Sequence, residues 1–302
     1  MKNKIIPLLI VILLLIGSVY SLKKIYFYLT DGFQVHHIVS HIADDARWKV
    51  HSLSEREIQE VKEILQQKFY YLAKGHQAYA FMSEDNQYIL KFLKFHRNRL
   101  QPWVQYLPSV PELNRYIERR RFFKDRRMFT LLDSWKMAFD ELQEENGLIQ
   151  VQINRADKVY SPVKIVDKIG REFQIDLNET SFLIQKKATL FCPEIETCMK
   201  NNAIEKAQQR IDQFLTLLIS EYQRGLAETD RRVLRNTGFI ATQAIHIDAG
   251  RFSENVRFKD PTIQKIEITK KTAELREWLS THYPSLNNYL DEQLVKLMDS
   301  PL

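Results

Sequence analysis

The sequence predicts an α+β chain in two parts, an antiparallel sheet followed by a helical region, behind an N-terminal membrane-spanning helix. Three observations predict it. Over residues 69–93 and again over 148–186, short β-type apolar runs are bounded by Gly, Asn and Asp. After residue 203 they recur at the three-to-four spacing of a buried helix face. Ahead of both, Ile5 to Tyr20 is an apolar run without a charge. The composition suits one folded unit with an N-terminal extension: 302 residues, 44% hydrophobic and 27% charged, with eight glycines and nine prolines. That excludes collagen-like, linker-rich or bulk-disordered organisation, and no repeat of solenoid period is present.

Residues 1–24 form the expected membrane segment. Lys2 and Lys4 precede the apolar run and Lys23-Lys24 follow it. A bilayer core takes about 20 apolar residues, so the run is slightly short, and two readings compete. A cleaved signal peptide would use the small residues Ser18 and Ser21; a retained anchor would set Tyr20, Tyr26 and Tyr28 at the interface. The anchor is preferred, and lysines at both ends leave the side of the membrane open. Residues 25–68 are expected to be a juxtamembrane helical region. Within it Ser54-Glu-Arg-Glu57 is a capping box that opens an amphipathic helix to about Gln67. His36, His37 and His41 lie near Asp44 and Asp45, but adjacent histidines point in different directions on a helix, so no metal site is expected there.

Residues 69–188 hold the expected sheet. Phe69 to Ser83 gives two strands around Gly75, and Asp85-Asn-Gln87 supplies turn chemistry before Tyr88-Ile-Leu-Lys91-Phe-Leu. Lys91 sits mid-strand between Leu90 and Phe92. Burying its ammonium is costly unless it reaches the edge or meets an anion. From Lys91 to Arg127 the chain is at its most basic, with Lys94, Arg97, Arg99, Arg115, Arg119 to Arg121, Lys124, Arg126 and Arg127. Beside an anchor, such a cluster suits anionic lipid headgroups, with Trp103, Tyr106 and Leu107 at the interface; a solvated helix face is the alternative. Nucleic acid is not expected, because no recognised motif is present and the net charge is only +6. Glu112 to Glu145 then reads as a helix ended by Asn146-Gly147. A strand follows at 148–153, a hairpin at 163–176 and a strand at 181–186.

Residues 189–302 turn helical. Ala203 to Arg224 presents a broad apolar face, and two more helices are expected at 262–282 and 286–298 around Tyr283-Pro284. Cys192 and Cys198 are the only cysteines. Their spacing is neither a zinc nor a thioredoxin pattern, so two free, partly buried thiols are expected, which leans towards the cytoplasmic face.

Behind the 203–224 helix comes the segment that carries chemistry. Asp230 is followed by Asn236, then by a short apolar strand ending in Asp248-Ala-Gly250. Phosphoryl transfer needs such a set: one carboxylate to orient the attacking hydroxyl, an amide oxygen and a second carboxylate for magnesium. With strand, glycine turn, strand, turn and lysine-bearing strand upstream, residues 69–300 resemble the protein-kinase-like superfamily at the level of fold and motif. The resemblance implies a two-lobed fold, an antiparallel-sheet N-lobe (69–188) and a helical C-lobe (189–302), that binds ATP and magnesium. It implies Gly75 in the loop over the phosphates, Lys91 on the α- and β-phosphates, Asp230 as base, and Asn236 and Asp248 as metal ligands. A helix acid, among Asp133, Asp140, Glu141, Glu144 and Glu145, would pair with Lys91. The chain departs from the pattern in three places. The phosphate loop has one glycine in place of three, Glu228-Thr229 replaces His-Arg, and the Asp230 to Asn236 spacing is one residue longer than usual. Glu228 therefore competes with Asp230 as base. No Ala-Pro-Glu motif or long activation segment follows Asp248, so a sugar, lipid or small-molecule hydroxyl is the expected acceptor rather than a protein. Bacterial lipopolysaccharide-core sugar kinases offer an analogy, since they too act on membrane-bound acceptors. The alternative is a catalytically inactive pseudokinase or membrane-tethered interaction module.

Overall fold

The protein is described here by a computed structural model that covers residues 2–155, 159–230 and 232–299. Helix α1 (Lys2–Thr30) leads. Its Ile6–Thr30 portion, whose most apolar stretch has a mean hydropathy of 2.2 and is unburied, is long and apolar enough to cross a membrane. The helix thus runs six residues beyond the expected boundary at 24. It stops where Asp31 and Gly32 take positive φ angles of 52° and 73°. A Cβ on Gly32 would lie 2.4 Å from the Phe27 ring, so only glycine allows this turn.

The stretch after α1 departs from the helical region expected over 25–68. It contains two single 3-10 turns, Val35–His37 and Ala46–Trp48, before α2 (Glu55–Leu65). Phe33, Ile38 and Trp48 leave the surface for the core, because burying these isolated large side chains outweighs the gain from continuing an exposed helix. Phe33 packs edge-on against Tyr79, Phe81 and Phe173. Phe33→Ala is therefore expected to cost about 3–5 kcal/mol of stability in denaturant unfolding, and a truncation that starts near Trp48 should fare worse. The capping box of α2 is present, with Ser54 and Glu57 bonded reciprocally.

Seven strands build a mixed sheet: β1 (Lys68–Lys74), β2 (Ala78–Ser83), β3 (Tyr88–Leu93), β4 (Leu148–Gln152), β5 (Val163–Val166), β6 (Glu172–Ile175) and β7 (Phe182–Lys186). Helix α3 (Pro111–Asp140) connects β3 to β4. The strand order is β4-β7-β3-β2-β1-β5-β6. The pairings are antiparallel except β1 with β5, which is parallel, so the sheet is not the purely antiparallel one expected. The chain leaves β4 at one edge and returns at the other, which brings β5 in along the direction of β1. One face buries Leu90, Phe92 and Phe182 against Phe33 and α2. The other buries Leu93, Val151 and Leu183 against Leu132 and Trp135 of α3.

The remainder is β8 (Thr189–Leu190), α4 (Phe191–Lys200), α5 (Ile204–Arg224), β9 (Leu226–Glu228), α6 (Val233–Asn236), β10 (Thr237–Ile240), β11 (Gln243–His246), β12 (Phe252–Glu254), α7 (Pro261–His282) and α8 (Pro284–Asp299). Helix α4 was not foreseen; it carries both cysteines, free, Cys198 buried and Cys192 partly so. Ile211, Phe214 and Leu218 of α5 pack on Ile268 and Leu275 of α7 and on Leu286 and Leu290 of α8. Helix α5 ends at Gly225, φ 79°, from which β9 departs at once towards Asp230.

Candidate functional site

Lys91 lies in the middle of the sheet, opposite Ala80 on β2 and Leu183 on β7. It shares the α3-facing side of β3 with Leu93, since side chains alternate along a strand. Its ammonium donates to Gln185 Oε1 at 2.8 Å and to the carbonyl of Ile247. Burial pushes its pKa down to about 8, opposed by the charge of Asp248. The acid expected on the following helix is not its partner: Asp133 accepts from the Trp48 indole, Asp140 from Lys136 and His51, and Glu145 pairs with Arg224. Gln185 takes that place. Its Nε2 donates to Asn146 O and His246 O, so one amide ties β7, the turn after α3 and β11 around the lysine.

Asp248-Ala249-Gly250 follows β11 and is clamped from two sides. Ser134 of α3 donates to Ala249 O at 2.7 Å and accepts from Phe252 N at 2.7 Å. On the other side, the β1–β2 turn brings Gln77 so close that a Cβ on Gly250 would lie 2.0 Å from Gln77 Oε1. The Gly75–Gln77 turn thus sits beside the Asp248 segment. Asp248 Oδ1 accepts from Gly250 N, and its second oxygen has no hydrogen-bond partner among the described residues.

Asn236 ends α6 and accepts from Ile247 N at 2.7 Å through its backbone carbonyl, which extends the β10–β11 ladder and sets Asn236 beside Asp248. Its side-chain amide encloses an unpartnered Nδ2. Turned over, that amide offers an oxygen instead, the donor magnesium takes. The orphaned amide of Asn236 and the second oxygen of Asp248 are thus the two donors these residues leave unused. No group of three or more His, Cys, Asp or Glu with metal-site geometry exists among the described residues, and the histidines at 36, 37 and 41 form none.

Asp230 is buried. Arg232 donates to both of its oxygens, and Arg251 lies 3.5 Å from Oδ2. The Arg232 bond, against desolvation, holds its carboxyl well below the usual carboxylate range. Arg231 lies outside the described residues. Glu228, the competing carboxylate, has both oxygens engaged, by Asp230 N and by the Lys271 ammonium. Burial raises its pKa, with Lys271 opposing. Lys271 also donates to Asp230 O, so the Glu228–Lys271 pair supports the Asp230 turn from beneath. Beside it, His246 Nε2 meets Glu221 Oε1 at 2.6 Å.

Cations crowd the Gly75 turn. Lys94 donates to Gly75 O and lies over the Tyr79 ring; burial, then Arg97 and Lys74, push it down to about 8. Arg97 donates to His76 O, and Arg97 and Arg127 both abut the His76 imidazole. Burial, then the charges of Arg97, Arg127, Arg251 and Lys94, hold His76 below its usual range and so neutral. Arg251 links this cluster to Asp230. Sequence reasoning places Arg97 and Arg127 only in a basic segment and has no ground to single out Gln77, Ser134, Gln185, Arg251 or Lys271. A polar Gln185 in an otherwise apolar strand was the one available signal. A cavity of about 380 Å³ between α5 and β11, walled by Glu145, Asp212, Thr216 and Ala244 among others, is lined by none of Gly75, Lys91, Asp230, Asn236 and Asp248.

No family model and no curated protein matches the chain. Among solved structures it is similar to one described as a high-resolution crystal structure of WbdD, at 13% sequence identity and a TM-score of 0.33. The alignment covers 77% of this chain and 46% of that one, so the chain spans less than half of the protein it matches.

Proposed function

We propose that the chain is a membrane-anchored, kinase-like phosphotransferase that passes the γ-phosphate of ATP to a hydroxyl of a sugar, lipid or other small molecule. The observation that supports it is the approach of Lys91, Asn236 and the Gly75–Gln77 turn to the 247–250 segment that carries Asp248, although they come from four separate stretches of chain. In this reading β1 to β7 form the first lobe and β8 to α8 the second, with Lys91 and the Gly75 turn holding phosphates. The surrounding cations, Lys94, Arg97, Arg127 and Arg251, suit a polyanion. Asn236 and Asp248 would hold magnesium, which would supply positive charge to neutralise the phosphates. Asp230, rather than the Lys271-bound Glu228, would orient the acceptor hydroxyl and accept its proton, once substrate displaces the exposed Arg232. Only Arg251 separates Gly250 from β12, which pairs directly with β9. That leaves no activation segment on which to dock a polypeptide, in keeping with a small acceptor. With ATP as donor, this reading favours the cytoplasmic side for the domain.

A second reading, an inactive pseudokinase, is favoured by the same pairings: Asp230 is occupied by Arg232 and Lys91 by Gln185 and Ile247 O. Thermal unfolding of the full chain in detergent tests the nucleotide site common to both. MgATP at a hundredfold excess over Kd is expected to add about 2.7 kcal/mol of stability, and Lys91→Met to remove that gain. No stabilisation at saturating nucleotide would end the phosphotransferase reading and leave at most a scaffold without a nucleotide site. The gain should also depend on pH. Lys91 loses its proton near pH 8 in the free protein, and phosphate binding favours the charged form. Affinity should therefore fall as pH rises above about 8, by at most about tenfold per unit.

A further inference from the structure

Helix α3 has no buried residue before Met128, and none of the preceding 3-10 turn, Pro102–Tyr106, is buried either. The first half of α3 is thus an arm about 25 Å long, at 1.5 Å per residue, that packs on little of its own chain. It is not a polar arm. Trp103 is 59% exposed, Tyr106 81%, Phe122 61% and Phe123 51%, with Tyr116 exposed beside them. At about 100° per residue, Tyr116, Phe122 and Phe123 fall with Arg115, Arg119 and Arg126 on the side opposite Met128, Leu132 and Trp135, which face the core. A helix face of aromatics interleaved with arginines, left uncovered, marks a surface that meets a partner.

The arm springs from the side of the protein that carries α1. His37 Nδ1 lies 2.9 Å from Gly32 O, and its ring stacks on His96 at 3.8 Å. Arg99 donates to Val39 O, and Lys124 of α3 donates to the carbonyls of Arg97 and Arg99. Lys74 and Lys168 bind Asp31, and Arg171 reaches the Tyr26 hydroxyl, so the base of α1 is fixed against the same end of the sheet. We infer that the 102–127 arm lies on the anionic leaflet of the bilayer that α1 enters, aromatic rings at the interface and arginines on lipid phosphates. This inference rests on the anchor and the arm, independently of phosphoryl transfer.

Tryptophan fluorescence of the full chain in phosphatidylglycerol-containing vesicles with brominated acyl chains tests it. Trp48 and Trp135 are buried and Trp278 packs on the helical core, so the difference between wild type and Trp103→Phe isolates Trp103. The expected result is a loss of Trp103 emission in brominated relative to plain vesicles, diminished by Phe122→Asp with Phe123→Asp, both exposed positions. Equal emission in the two vesicle types overturns the inference. So does quenching undiminished in purely zwitterionic vesicles, which would remove the anionic requirement. Efficient disulfide formation by Tyr116→Cys between two chains, without quenching, would assign the arm to a second copy instead.

Discussion

Asp248→Asn is expected to lower phosphoryl transfer from ATP about 10²–10³-fold, the range seen when one preorganised electrostatic group is removed from a reacting centre. The substitution is close to isosteric, and an amide oxygen still accepts from Gly250 N, so the clamp by Ser134 and Gln77 should persist. What is lost is the negative charge that faces Lys91 and that a magnesium ion would need. Hydrolysis of ATP by the full chain, with water standing in for the acceptor, is the readout. The thermal midpoint without nucleotide should stay near wild type, whereas the MgATP-dependent gain should shrink. Wild-type hydrolysis by the variant would sink the assignment of Asp248. MgATP stabilisation of the wild type without any turnover, for any hydroxyl acceptor offered, would favour the pseudokinase reading, with Asp230 permanently held by Arg232.

What the sequence made legible follows from how local each signal is. The apolar run of Tyr88–Leu93 and the three-to-four pattern of Ile204–Arg224 are properties of single segments, and both elements occur as expected. The Ser54–Glu57 capping box is likewise complete within four residues. The parallel docking of β5 on β1 is not local, because alternation defines a hairpin but not the edge it joins. The entry of Phe33, Ile38 and Trp48 into the core is illegible for a similar reason: Phe33 and Trp48 are lone apolar residues among polar neighbours, and Ile38 belongs only to a short pair between histidines. The partner of Lys91 illustrates the limit best. Charge logic points to an acid on the 112–145 stretch, yet an amide and a carbonyl meet the ammonium, while Asp133, Asp140 and Glu145 are held by Trp48, by Lys136 and His51, and by Arg224. The order of Lys91, Asp230, Asn236 and Asp248 along the chain could be read in advance. The arginines gathered beside them, from the loop after β3, from α3 and from the Gly250 turn, could not, since only tertiary folding makes them neighbours.

Lys271→Met should cost about 3–5 kcal/mol of stability, because it strips a buried carboxylate of its cation. Glu228 is 3% exposed, and its remaining donor would be the Asp230 amide. The loss should depend on pH in a definite direction. Burial raises the Glu228 pKa above its ordinary 4.5 while Lys271 pulls it down. A carboxyl with a raised folded pKa binds more protons in the folded than in the unfolded chain between the two values, so its contribution to stability falls as pH rises through that window. Removing Lys271 extends the window upward. The variant's deficit, measured by denaturant unfolding, should therefore be largest near pH 8 and shrink towards pH 5, where Glu228 takes up a proton at little cost. Adding Glu228→Gln should recover most of the stability, since a neutral amide needs no counter-ion and can still accept from Asp230 N. A deficit that neither varies with pH nor responds to Glu228→Gln would mean that packing of the lysine stem, not the ion pair, carries the effect. The rescued double variant separates support from chemistry, because it folds but lacks the ammonium that holds Asp230 O. Under the phosphotransferase reading it should still turn over ATP more slowly than wild type, with MgATP binding retained, because the Asp230 turn has lost the donor beneath it.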